Sequence, residues 1–251
     1  ASLQDWDVIY FFDYSKGATG TWDQGYWDGY FNMNAHPSAM ANALVGAQIF
    51  RGQQVAPATD QILMRFDPDT ETRIVATQGQ AWKVGDGRDL AIPNALALTH
   101  RIALSIGDGA SGLTTAPAAP SGPAYPSDSG ELTWDLSNPS KGVVTVNTPQ
   151  ARSVVGYIDG RTFEVGNVRI DIGATQEDWA TLTLTARQGS FENRYAPANI
   201  LLVATGLTEN TDMVWSDSTK SSVGRNWGRA PSLTEDIPAT LTLPYPADRT
   251  N

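Results

Sequence analysis

Between Asp13 and Tyr30 the chain interleaves aromatic rings with short hydrogen-bond acceptors: Asp13-Tyr14, then Thr21-Trp22-Asp23-Gln24-Gly25-Tyr26-Trp27-Asp28-Gly29-Tyr30. A pyranose ring presents a flat apolar face edged by hydroxyls. A protein holds it with a Trp or Tyr face beneath and Asp, Asn or Gln at the rim. This segment supplies both residue types, and its glycines let the backbone turn tightly. Asp13, Tyr14, Trp22, Trp27 and Tyr30 are therefore the candidate sugar-binding residues. The competing reading makes the same rings the core of a small domain, since aromatics dominate cores as well as sites. Ten of the 23 aromatic residues lie within Trp6–Phe31, so either reading concentrates that role in one short stretch.

Other chemistries find less support. His36 and His100 are the only histidines, and neither has a second His or a Cys nearby in sequence, so no metal site is expected. No serine sits in a Gly-x-Ser-x-Gly elbow, which argues against hydrolysis by a Ser-His-Asp route. Asp67-Pro68-Asp69-Thr70-Glu71 and Asp86-Gly87-Arg88-Asp89 supply carboxylates at short spacing, but neither matches a calcium-binding loop, and both read as turns between strands. The absence of cysteine excludes disulfides, thiol catalysis and thiolate metal sites. A net charge of −10 without a basic run makes nucleic acid an improbable partner. No apolar stretch approaches the roughly 20 residues that span a bilayer, so a membrane is not expected as a partner either. No cofactor is expected. With Ala1 first, and no basic leader or apolar segment after it, the chain reads as a mature, cleaved or trimmed product.

The elements that must position these residues are mostly strands. Of 27 acidic residues only seven are Glu, and only four of 17 basic residues are Lys, whereas Gly, Pro, Thr and Asp abound. Glu and Lys favour helices, so their scarcity points to strands and turns. The one convincing helix is Pro37–Phe50, with Pro37 suited to a first turn and apolar residues at three-to-four spacing. Val8–Phe12, short and continuously apolar, predicts a buried strand of the parallel kind. Beyond residue 52 the pattern is of short strands punctuated by turns: Ile62–Phe66, Arg73–Ala76, Leu96–Ser105, Glu131–Asp135, Gly142–Asn147, Ser153–Ile158, Thr162–Val165, Val168–Ile172, Trp179–Ala186, Ile200–Thr205 and Ala239–Leu243. Such regular spacing predicts an antiparallel β-sandwich. The expected organisation is mainly β: a short α/β segment over 1–52, then a sandwich over 53–251 with a loop or linker at about 107–130.

Three groups of residues also resemble a known family. Leu3-Gln4-Asp5-Trp6-Asp7-Val8-Ile9-Tyr10-Phe11-Phe12-Asp13-Tyr14 resembles the last strand of the (β/α)8 barrel in retaining β-glycoside hydrolases of the large barrel clan. The stretch from His36-Pro37-Ser38 through Phe50-Arg51-Gly52 is similar to that barrel's last helix. Ser127–Asp135, Val144–Gln150, Leu201–Thr211 and Val223–Pro231 resemble the β-sandwich that commonly follows. The resemblance implies a C-terminal portion of a polysaccharide-degrading enzyme, secreted or periplasmic, with β-linked oligo- or polysaccharide as its partner. Retaining enzymes need two carboxylates about 5–5.5 Å apart. The resemblance would place them on the fourth and seventh barrel strands, and no Glu precedes Glu71 here. No catalytic residue is therefore assigned. The chain is expected to contribute sugar-contacting aromatics without hydrolysing glycosides alone, and to self-associate or pair with a missing N-terminal barrel region through residues 1–52. A free-standing carbohydrate-binding module and a ligand-free structural or assembly module are the alternatives.

Overall fold

Helix α1 (Pro37–Arg51) forms where the sequence predicts it and runs one residue further. The first N–H groups of a helix lack intrahelical acceptors. His36 occupies the N-cap and its Nδ1 accepts from the Ala39 N–H at 3.2 Å. Pro37 takes the first helical position, where a missing N–H costs nothing. At the other end the Gly52 N–H donates to the Gln48 carbonyl at 3.0 Å. The computed structural model describes residues 1–15, 24–80, 83–84, 95–113, 121–195 and 198–245. Among these residues sixteen strands accompany three α-helices, and most strand pairs are antiparallel, so the fold is mainly β. No helix among them is long and apolar enough to cross a membrane. The chain divides into two compact units.

The first unit comprises Ala1–Asp7 and Val55–Ser140. It contains β1 (Gln61–Phe66), α2 (Pro68–Gln78), α3 (Leu96–Thr99), β2 (Arg101–Ile106), β3 (Gly112–Leu113), β4 (Ala124–Pro126) and β5 (Leu132–Asp135). Strands β1 and β2 are parallel, with Gln61 opposite Arg101 and Phe66 opposite Ile106. Met64, Phe66, Ile74 and Val84 form its buried cluster. Three expectations are corrected here. Arg73–Ala76, expected as a strand, lies inside α2. The reason is legible upstream: the Asp67 carboxylate accepts from the Thr70 N–H at 2.8 Å, Pro68 starts the helix, and Asp69 and Glu71 face its positive end. Hydrogen bonds from Ser111 and Thr70 hold the Asp67 carboxyl down at about 2. Leu96–Ser105, expected as one strand, divides into α3 and β2 at His100. The expected linker at about 107–130 carries strands β3 and β4, and Ala124–Pro126 pairs with Thr133–Asp135.

The second unit comprises Val8–Gln54 and Lys141–Asn251. Besides α1 it contains β6 (Val143–Asn147), β7 (Ala151–Tyr157), β8 (Thr162–Val165), β9 (Val168–Ile172), β10 (Trp179–Gln188), β11 (Asn199–Thr205), β12 (Thr208–Thr211), β13 (Val214–Trp215), β14 (Val223–Asn226), β15 (Arg229–Thr234) and β16 (Ala239–Thr242). Strands β6, β7, β10 and β11 pair antiparallel in that spatial order, and β8, β9 and β16 make a second antiparallel sheet. Val143, Val154, Ile158, Val168, Ile170, Leu182, Leu184 and Phe191 belong to one buried cluster drawn from both sheets. Apolar burial of this kind contributes about 25 cal/mol per Å² removed from water and is the main cohesive term of the unit. Val8–Phe12 departs from expectation. It forms no strand, and all five side chains are exposed, Tyr10 at 88%. A short apolar run does not by itself specify a strand. A strand needs a neighbour to take its backbone groups, and no described strand pairs with it.

Candidate functional site

The aromatic loop is fastened to the second unit by a buried side chain, Asn210 on β12, which is 2% exposed. Its Nδ2 donates to the Trp27 carbonyl at 2.6 Å and to the Trp227 carbonyl at 2.7 Å, while its Oδ1 accepts from the Trp27 N–H at 3.3 Å and from the Ser232 hydroxyl at 2.6 Å. The Ser232 N–H on β15 donates to the Gly25 carbonyl at 3.1 Å. The ladder between β12 and β15 pairs Asn210 with Ser232 and shifts register between Asn210 and Thr211. Gly228 beside it is required: its φ is +73° and a Cβ there would collide with the Thr211 carbonyl.

So held, Trp27 is 6% exposed. Its ring packs on His36 with centroids 4.6 Å apart and meets Trp227 edge-on at 5.1 Å. It also lines a cavity of about 470 Å³ whose wall is drawn entirely from the second unit. Tyr157 and Trp179, opposite each other across β7 and β10, supply two more rings. Trp215 on β13 supplies a fourth, and its indole N–H donates to Glu209 at 3.0 Å. Polar groups interleave with the rings. Asn42, one turn into α1, donates to the Ser38 carbonyl at 2.9 Å and to the Thr205 hydroxyl at 2.8 Å. Ser38 hydrogen-bonds Thr208, and Thr181 bonds Thr205 at 2.9 Å. Lys220 lies 3.0 Å from Glu209 and 3.8 Å from Glu177. Burial pushes the Glu209 carboxyl up, but the Trp215 indole and the Lys220 ammonium outweigh it and hold the group below its ordinary value. The buried Trp27 Nε1–H has no hydrogen-bond partner among the described residues.

The five residues singled out by sequence are placed differently. Trp27 is in the cavity wall. Tyr30, 70% exposed, packs edge-on against Trp227 at 5.4 Å, one ring removed from Trp27. Asp13 and Tyr14 are not in the described wall; they pair by backbone with the segment after the loop, Asp13 N–H to the Phe31 carbonyl at 3.2 Å and Asn34 N–H to the Tyr14 carbonyl at 2.8 Å. Trp22 lies outside the described residues. Sequence reasoning missed Tyr157, Trp179, Trp215, Asn42, Glu177 and Lys220. The available signal was weak: Trp179 and Trp215 each sit one or two residues from an acidic residue beside a turn, as many solvent-facing residues do.

Chemically the site combines stacking faces with neutral and ionic hydrogen-bonding groups. Glu177 is the one carboxylate of its described wall, whereas acid/base glycoside cleavage needs a pair. Such groups can hold a ligand that offers flat apolar faces and hydroxyls. The chain matches no family model, no curated protein and no solved structure with which it was compared.

Two expected outcomes follow from these contacts. Replacing Asn210 with Ala strands the Trp27 N–H, the Trp27 carbonyl and the Trp227 carbonyl at once. The unfolding free energy should fall by about 3 kcal/mol in chemical denaturation, the order expected for unsatisfied buried groups. The second concerns His36. Desolvation lowers its pKa below the ordinary 6.5, partly offset by its own backbone hydrogen bond. The folded state thus binds this proton less readily than the unfolded state, so the His36 contribution to stability is full above pH 6.5 and declines as pH falls below it. Protonation would also place a donor and a positive charge at a helix N-terminus that needs an acceptor. The thermal midpoint of the wild type should drop between pH 7 and pH 5 more than that of His36→Asn, which keeps a capping acceptor and does not titrate.

Proposed function

We propose that the second unit binds carbohydrate in the cavity walled by Trp27, Tyr157, Trp179 and Trp215, as a non-catalytic C-terminal part of a polysaccharide-degrading β-glycoside hydrolase. The observation that carries the reading is the convergence of four aromatic side chains with Asn42, Glu177 and Lys220 around one opening. Aromatic faces take the apolar faces of pyranose rings, and the amide, carboxylate and ammonium groups take hydroxyls. A volume of about 470 Å³ fits one or two sugar residues. In this reading the two antiparallel sheets sharing one hydrophobic cluster form the accessory β-sandwich, and α1 is the last helix of a (β/α)8 barrel.

The exposed apolar run Val8–Phe12 favours the enzyme-portion reading over a free-standing module. Five consecutive exposed apolar side chains are an association surface, and a strand of a barrel region contributed by further chain would cover them. A secreted or periplasmic setting accords with a polysaccharide partner.

The test is affinity electrophoresis of the chain through gels containing soluble β-glucan, xylan, mannan or galactan. Retardation by at least one β-linked polysaccharide is expected. Trp179→Ala and Trp215→Ala should each weaken it about tenfold, the ratio that 1.4 kcal/mol of lost contact produces. Unretarded migration in all four gels overturns the reading, as does equal retardation of both variants. No reducing sugar should be released in any case.

A further inference from the structure

A second constellation lies wholly within the first unit and is independent of the carbohydrate reading. Asp60 immediately precedes β1 and His100 immediately precedes β2, so the parallel register that sets Gln61 opposite Arg101 brings these two residues side by side. The Arg101 N–H donates to the Asp60 carbonyl at 3.2 Å, which fixes that juxtaposition. Asp128, in the turn after β4, reaches the same place. Its own N–H donates to the Thr99 carbonyl at 2.8 Å, and its two carboxylate oxygens accept from the Thr59 N–H at 3.0 Å and the Asp60 N–H at 2.7 Å. One ligating atom from each of the three side chains lies within 4.8 Å of the other two.

The hydrogen bonds around His100 decide what its ring offers. Thr99 Oγ1 lies 2.7 Å from His100 Nδ1, and the same hydroxyl points at the Leu96 and Ala95 carbonyls at 3.3 and 3.4 Å. Carbonyls only accept, so the arrangement satisfying all three contacts gives the hydroxyl proton to them and places a proton on Nδ1, which donates to Thr99. Nε2 then carries a lone pair. A ligating histidine is commonly oriented this way, its other nitrogen donating to a neighbouring oxygen. Asp60 spends no carboxylate oxygen on a hydrogen bond or ion pair among the described residues, and each Asp128 oxygen keeps a lone pair beyond the single N–H it accepts. Two carboxylates thus converge on an imidazole with no Lys or Arg paired to either among the described residues. Like charges held that close repel unless a cation lies between them.

We propose that Asp60, His100 and Asp128 form a site for one divalent cation of the zinc class. One imidazole and two carboxylates are a borderline-hard donor set, suited to zinc, and the ion's remaining positions fall to water. Bonds of about 2.1 Å bring ligand atoms no more than about 4.2 Å apart, so the spacing on the protein closes onto an ion with small side-chain movement. The ion ties together the starts of β1 and β2 and the turn after β4, three points separated in sequence, and its role is to brace the first unit. Sequence spacing gave no warning, because the ligands stand 40 and 28 positions apart rather than in a short motif.

The experiment is calorimetric titration of zinc chloride into the chelator-treated full chain, with thermal midpoints measured alongside. One zinc per chain is expected, with a raised midpoint. His100→Gln and Asp60→Asn should each weaken binding at least roughly tenfold and abolish the rise. Asp60→Asn is the informative variant for folding, since its carboxylate holds no described partner, and circular dichroism matching the wild type shows that it folds. His36→Gln, which removes the other histidine, should bind as the wild type does. Absence of zinc binding overturns the proposal, as does undiminished binding by His100→Gln or Asp60→Asn, or loss of binding in His36→Gln.

Discussion

The aromatic loop of the second unit depends on one buried amide. Asn210 is a neutral side chain with two donors and an acceptor, placed where two loop carbonyls, a loop N–H and a serine hydroxyl converge. An unmade hydrogen bond in a buried place costs more than a made one contributes, so the chain between Gly25 and Trp27 has little choice of position once Asn210 is buried. From that follow the burial of Trp27, its packing on His36 and Trp227, and the start of α1 at the cavity wall. No charged residue could substitute. A carboxylate would face two carbonyl oxygens, and an ammonium would leave the Trp27 N–H without its acceptor.

The cavity then arises from elements that have little in common in sequence. Helix α1 brings His36, Ser38 and Asn42; the paired ends of β7 and β10 bring Tyr157 and Trp179; the β13–β14 turn brings Lys220 against Glu177 and Glu209. Hydroxyls and one amide satisfy one another between helix and sheet, so the polar groups there are organised before any ligand arrives. On the proposed carbohydrate reading, that preorganisation reduces the ordering cost of binding a flexible saccharide.

Much of the β architecture was legible because it rests on local patterning. Val168–Ile172 alternates cleanly and its buried residues are Val168, Ile170 and Ile172, as alternation requires. Helix α1 announced itself through Pro37 and its apolar spacing. What failed was where tertiary context outweighs pattern. Val8–Phe12 reads as a strand by composition but has no neighbour to pair with among the described strands. Arg73–Ala76 reads as a strand in isolation, whereas the Asp67-Pro68 start six residues earlier commits it to a helix. The aromatic loop places Trp27 in the cavity wall, whereas the other three rings come from strands and turns whose convergence depends on register. The Asp60–His100–Asp128 group was invisible for the same reason, being created by a parallel register that the expected all-antiparallel sandwich did not contain.

The central claim is that sugar is held by the ring-lined cavity of the second unit. It is tested most directly by nuclear magnetic resonance of the indole N–H groups, since the eight tryptophans each give one resonance. Titration with a β-linked oligosaccharide drawn from whichever polysaccharide retards the chain should shift the Trp27, Trp179 and Trp215 signals together while leaving Trp6 and Trp134 in place. Shifts confined to Trp6 or Trp134, or no shift in the three cavity indoles at saturating ligand, would contradict the account.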